Sequence, residues 1–196
     1  MKRFFQANIT LLILVVLPHV AAADTFENGL RAYIAGDYKS AQQIFFGEAM
    51  LGNPMAQNSL GVMYEKGQGV PQDDIEAVKW FLKAASQGEV LAQSYLGSHY
   101  AKGAGVPQND KEAAKWFTMA AKQGDRFSQL SIGIMYDLGR GVAHNYIVAW
   151  AWYTLASENG VETAQSYIDS IQEKMSPDEI YLATQIAEMF RTEIGD

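Results

Sequence analysis

The sequence predicts an all-α protein, an α/α solenoid of stacked helix-turn-helix repeats wound into a right-handed superhelix. Three observations predict it. A 36-residue unit occurs three times in register, at 53–88, 89–124 and 125–160. Each copy reads as two amphipathic segments joined by a glycine-rich turn. The chain has no cysteine while 48% of its residues are apolar, so packing alone must hold it together. A hairpin that cannot bury both its faces has to stack on a neighbour.

The chain opens with MKRFFQANITLLILVVLPHVAAAD. Lys2 and Arg3 give a positive start, Ile9 to Leu17 an apolar run broken by Thr10, and Ala21-Ala22-Ala23 the small-x-small pattern of a signal-peptidase site. Residues 1–23 therefore read as a cleavable secretory signal, cut between Ala23 and Asp24. Its apolar run is short of the ~20 residues that span a bilayer. Residues 24–196 follow as one repeat domain. The whole chain carries 15 Lys and Arg against 22 Asp and Glu; losing Lys2 and Arg3 leaves 13 against 22, a net charge of −9. So acidic a surface repels nucleic acid and anionic lipid. No second long apolar run follows, and no membrane insertion is expected after cleavage. Without cysteine there is no disulfide, thiol chemistry or thiolate metal site.

The first hairpin, within 24–52, has a short turn, AGDYKSA. In the three full units the recurring columns are Gln57/Gln93/Gln129, Gly61/Gly97/Gly133, Tyr64/Tyr100/Tyr136, Trp80/Trp116/Trp152 and the glycine pairs Gly67-x-Gly69, Gly103-x-Gly105 and Gly139-x-Gly141. A phosphate-binding G-x-G follows a strand and opens into a helix. These pairs end a helical segment and recur at a fixed period, so they are turns. Ala56, Leu60 and Tyr64 lay an apolar stripe along a first helix, and Gly61 beside it lets another helix come close. Gly67 is placed to end that helix in the left-handed conformation, and Gly69 to keep the turn flexible. Asn53-Pro54 starts a first helix. Asp73 and Asn109 are expected to cap second helices, with Glu76 and Glu112 completing capping boxes; Asn145 keeps the cap while Val148 lacks the acid. Gly88, Gly124 and Gly160 close the units.

Residues 161–196 are a degenerate repeat and a C-terminal cap. VETAQSYIDSIQEKM has no G-x-G. SPDE at 176–179 is a capping box, and the last helix carries Ile180, Ala183, Ile186/Ala187 and Phe190 on one face, as a lid over the end of the stack would.

The block A-Q-x-x-L-G-x-x-Y-x-x-G-x-G-V, followed by A-x-x-W-[FY] and A-[AS]-x-x-G, resembles the Sel-1-like repeat, a relative of the tetratricopeptide repeat. The resemblance implies that one side of the first helices lines a concave groove where partners bind. It also implies an adaptor or regulator of a cell-envelope process as the function. Some cysteine-rich members are linked to β-lactam binding or hydrolysis, but their paired cysteines are absent here.

No catalytic, cofactor or metal residue is expected. There is no G-x-S-x-G, H-E-x-x-H or S-x-x-K with its companions. His99 stands in the column of Met63 and Met135 and reads as a partly buried or rim side chain; His144 reads as a solvated loop residue. The recurring tryptophans read as core, with Trp150 the one candidate for the surface. Partner-binding candidates come from the helical wheel. At ~100° per residue, Phe127, Leu130, Ile134 and Leu138 fall within a sector of about 80°. They lie opposite the packing columns Ser128, Ile132 and Tyr136. The same columns hold Met55, Asn58, Val62 and Lys66 in the first unit and Leu91, Ser94, Ser98 and Lys102 in the second. The groove should become more apolar toward its C-terminal end, unless the last helix folds back over the stripe. The function expected is an exported protein–protein interaction scaffold that takes a protein or peptide, acts as a monomer, and resides in the periplasm or is secreted. The alternative is a cell-wall ligand-binding protein or hydrolase, or a secreted host-interaction factor.

Overall fold

Helix ends are where this sequence commits itself, and the structure, a computed structural model describing residues 22–195, shows how. The elements are α1 (Ala22–Ile34), α2 (Tyr38–Met50), α3 (Pro54–Lys66), α4 (Asp74–Ser86), α5 (Val90–Lys102), α6 (Asp110–Lys122), α7 (Arg126–Leu138), α8 (Tyr146–Glu158), α9 (Ala164–Gln172) and α10 (Pro177–Gly195). No strand occurs among the described residues. The secretory signal expected at 1–23 lies, up to residue 21, outside them. Consecutive helices pair into hairpins and each hairpin packs on the next, so the expected all-α solenoid forms.

Asn53, Glu89 and Asp125 open α3, α5 and α7 by accepting backbone N–H bonds, and Gly67, Gly103 and Gly139 end them at φ of 66, 74 and 65°. Asp73, Asn109 and Asn145 cap α4, α6 and α8. The expected capping boxes at Glu76 and Glu112 are not formed. The N–H groups of Asp73 and Asn109 donate instead to the carbonyls of Tyr64 and Tyr100, at 3.0 and 2.9 Å. The two glutamates turn to Lys79 and Lys115. A tertiary bond between turn and helix has taken the donor that the local motif would use. At the end of the chain no such carbonyl competes. There Ser176 and Glu179 make both halves of the box, with Ser176 N–H donating to Glu179 at 2.8 Å and Glu179 N–H to the Ser176 hydroxyl at 3.3 Å.

The two glycine columns act by close approach. A Cβ on Gly61, Gly97 or Gly133 would lie 2.5–2.6 Å from the ring of Phe81, Phe117 or Tyr153, so these positions let the two helices of one hairpin touch. The second glycine of each turn takes positive φ, 75, 70 and 71° at Gly69, Gly105 and Gly141, which lets the loop turn as the sequence suggested, and it has a further task. A Cβ on Gly69, Gly105 or Gly141 would meet the carbonyl oxygen of Tyr38, Asp74 or Asp110 at 2.5, 2.2 or 2.1 Å. The turn is thereby seated on the first residue of the preceding hairpin's second helix.

The buried glutamines join the units. Gln57, Gln93 and Gln129 donate to the carbonyls of Ala49, Ala85 and Ala121, at the ends of α2, α4 and α6. Their own carbonyls accept from Gln87, Gln123 and Asn159 at 2.7–2.9 Å, at the ends of α4, α6 and α8. Each glutamine therefore ties one second helix to the next, and its buried amide stays satisfied.

At the C-terminal end α9 packs on α8, while α10 lies along α8 and reaches α6. The ring of Phe190 stacks on Trp152 with centroids 4.2 Å apart, and Arg191 grips Glu158 with two nitrogens. The last helix thus covers the second helices and does not fold back over the stripe on α7.

Candidate functional site: the groove between first helices

Between the first helices α5 and α7, beyond the contact that Ser94 makes with Asp125 and Ser128, a hollow opens over α6 beside the small side chains Ser98 and Ser131. The opening measures about 410 Å³ and is walled by Leu91, Tyr95 and Ser98 of α5 and Phe127 and Ser131 of α7, with Phe117 of α6 as its floor. It continues into a further 240 Å³ beside Lys102, Ile134 and Arg140. A smaller hollow of about 110 Å³ lies between α1 and α3, against Leu30, Tyr33, Asn58 and Val62.

The expected partner-binding residues divide. Met55, Leu91, Phe127 and Leu138 are 52, 52, 57 and 61% exposed, and Ser98 lines both parts of the α5–α7 groove. Lys66 and Lys102 are exposed at the C-terminal ends of α3 and α5. Leu130 and Ile134 are half-buried and belong in part to the core. Both pack on the cluster around Tyr153 and Ile168, and Leu130 also meets Ala156, Val161 and Ala164. The cover comes chiefly from α8 and α9, the short helix of the degenerate hairpin, in a cluster that Ala183 of α10 also joins. Val62 is half-buried against the core of α4 and α5. Asn58 is buried, and its side-chain oxygen has no hydrogen-bond partner. Ser94 is taken up structurally, donating to Asp125 at 3.0 Å and accepting from Ser128 at 2.9 Å, which ties α5 to the cap of α7.

Two wall residues lay outside the candidate columns. Ser131 falls about 20° beyond the sector at ~100° per residue, so a wider sector includes it. Tyr95 stacks on Phe81 at 4.7 Å and still reaches the groove. Burial, helped by Glu65, pushes its phenol above the ordinary range. Burial likewise raises the carboxyl of Glu89, the cap of α5.

The remaining candidates have structural places. His99 is buried, beyond the partial burial expected, and its Nδ1 lies 2.8 Å from the carbonyl of Ala104. His144 is exposed and packs its edge against Tyr146. Trp80 and Trp152 are buried. Trp116 is half-buried, and so is Trp150, which packs between two core clusters. Among the described residues no three His, Asp or Glu side chains converge as a metal site would require, and no helix is long and apolar enough to cross a membrane.

An all-α array of 36-residue hairpins, seated by paired glycines and hollowed between its first helices α5 and α7, defines a helical repeat protein. The Sel1 repeat family matches residues 54–89, 90–125 and 127–161. This chain belongs to that family. It is similar to a Sel1 repeat protein from Oxalobacter formigenes, with 36% identity and a TM-score of 0.71 over 74% of this chain and 60% of that one. It is also similar to c5321, a protective antigen present in uropathogenic Escherichia coli strains, with 29% identity and a TM-score of 0.76 over 89% of this chain and 38% of that one. Helicobacter pylori cysteine rich protein B shares the fold at 23% identity and a TM-score of 0.53, over 67% of this chain and 94% of that one. The chain spans about three-fifths of the first of these proteins and under two-fifths of the second. No curated protein matches it in sequence.

Proposed function

We propose that this protein is an exported interaction scaffold, an adaptor or regulator of a cell-envelope process, which binds a protein partner in the groove between α5 and α7. One observation carries the reading: a continuous opening of about 410 and 240 Å³ whose walls include the exposed side chains Leu91 and Phe127. Apolar side chains held open on rigid helices, with serines between them, suit an extended peptide or a partner helix. Sel1 repeats generally mediate protein–protein contacts, which supports the same class of function. The periplasm is the compartment that the N-terminal sequence suggests. A second reading, a factor exposed outside the producing cell, is favoured by the protective antigen among the similar structures.

The test is in-cell crosslinking followed by mass spectrometry, comparing wild type with a Leu91→Glu/Phe127→Glu variant. Both side chains are exposed, so circular dichroism should find the variant folded. One partner captured by wild type and lost from the folded variant is the expected result. Equal capture by both would move the binding surface elsewhere. Fractionation separates the periplasmic reading from the secreted one.

A further inference from the structure

Two neighbouring junctions of the solenoid differ at one pair of positions. Where the turn after α7 meets α6, Arg140 grips Asp110 with two nitrogens, Nη2 at 2.9 Å and Nε at 3.2 Å. One junction earlier Asp74 stands in the place of Asp110, while Ala104 stands in that of Arg140. There the side chain is missing and a cavity of about 130 Å³ opens against Ala104. That is room for a few waters, at roughly 30 Å³ each in the liquid, or for one planar side-chain head.

The walls of this cavity are rich in acceptors. Glu65 and Asp74 supply carboxylates, Gln72 and Ser98 further oxygens, and buried His99 an imidazole. The carbonyl of Ala104 can only accept, so Nδ1 of His99 carries the proton of their 2.8 Å bond. Nε2 is the ring's remaining polar atom. It is buried with no hydrogen-bond partner and faces a carboxylate oxygen of Glu65 at 3.4 Å. Lys102 lines the cavity but forms no ion pair among the described residues.

We propose that this cavity receives an arginine side chain of the protein partner, seated on Asp74 and Glu65 as Arg140 is seated on Asp110. The proposal rests on the groove reading and names the chemistry the groove selects. A guanidinium offers five donors in a planar fork, which suits several acceptors converging from different helices. The cavity adjoins the groove, since Ser98 and Lys102 line both. A peptide lying along α5 can therefore turn one side chain into it. The acidic chain favours a basic partner on approach.

The test is an amide-resolved NMR titration of the folded protein with Nα-acetyl-arginine amide, with the citrulline analogue as an uncharged control of the same shape. The arginine probe should shift the signals of Ser98, His99 and Ala104 and saturate at roughly millimolar concentration, weak binding expected of one residue. The citrulline probe should not. Asp74→Asn should weaken binding tenfold or more, and Lys102→Ala should tighten it by removing a like charge. Ala104→Arg installs the side chain of the next junction, and should abolish the titration while raising Tm. Equal shifts from citrulline, no saturable shift, or an unchanged titration in Asp74→Asn would overturn the proposal. Free arginine binding more tightly than the blocked residue would make this an amino-acid site and overturn it as well. No partner is needed for this experiment, so its failure leaves the groove reading to the crosslinking test. Loss of the groove reading would in turn leave the cavity result standing.

Discussion

Trp80 and Trp152 occupy the same column of the repeat, near opposite ends of the array, and they are covered by different means. Trp152 is sealed by a helix from outside the repeats, through the stacked ring of Phe190. Trp80 is sealed from within, by the edge of Phe46 at 6.2 Å and the ammonium of Lys83 at 3.7 Å from its ring centroid. Both end up buried, 2 and 4% exposed, but the surroundings diverge. Near the N-terminal end Ile34 and Leu51 are each 82% exposed, whereas α10 lies over α8 at the other end. The tryptophan column must be dry for hairpins to interlock. Whatever long side chain is within reach can make it so, and a dedicated lid is one solution among others.

The contrast breaks most sharply at Trp152. Trp152→Ala should destabilise the fold by about 3–5 kcal/mol, as removal of a large buried ring does, read as a lowered midpoint in urea. Phe190→Ala removes only the half-buried cover and should cost about 2 kcal/mol. Combined with Trp152→Ala it should show a coupling of about 1 kcal/mol, the worth of a stacked aromatic pair. Absence of coupling would mean that α10 is held by its salt bridges and not by its ring. At the start of α10, Ser176→Ala should cost about 1 kcal/mol through the lost cap. Its partner Glu179 gives the pH signature. Hydrogen bonds from Ser176 hold the Glu179 carboxyl below its ordinary 4.5. A lowered folded-state pKa stabilises above the unfolded value and loses that effect as pH falls through the folded one. The gap between wild type and Glu179→Gln should therefore be full at neutral pH and close as pH drops below 4.5. Smallest of all, Ile34→Ser with Leu51→Ser should change stability by no more than about 0.5 kcal/mol, with amide exchange of α1 faster than that of α8.

The unit, its two helices and its turns were legible because the 36-residue recurrence separates columns that matter from those that do not. Recurrence names a column without giving its task. Gln93 shows nothing in sequence of the Ala85 carbonyl it serves, and Gly105 nothing of the Asp74 oxygen beneath it. The capping boxes misled because a local pattern cannot register that the carbonyl of Tyr64 competes for the N–H of Asp73. An apolar face on the last helix said that something would be covered; that it covers Trp152 and not Phe127 depends on the path of the chain after α9. At the candidate groove the wheel found Leu91 and Phe127, side chains that are exposed. It could not separate them from Leu130, which falls in the same sector and is covered by the core that α8 and α9 build. The Ala104–Arg140 difference is plain in the sequence, but its meaning requires knowing that Asp74 and Asp110 are the opposing groups.

The seat beneath each second glycine also bears on how such a chain can lengthen. The turn rests on the backbone of the unit before it, through an oxygen that every residue possesses, so each new copy brings both halves of its own junction. Duplicating one 36-residue segment would add a hairpin and a stretch of groove without any change to the units already present. An insertion of 35 or 37 residues would lift a glycine off its seat. Length is thus a quantised variable for this architecture, and the reach of its groove grows in whole steps.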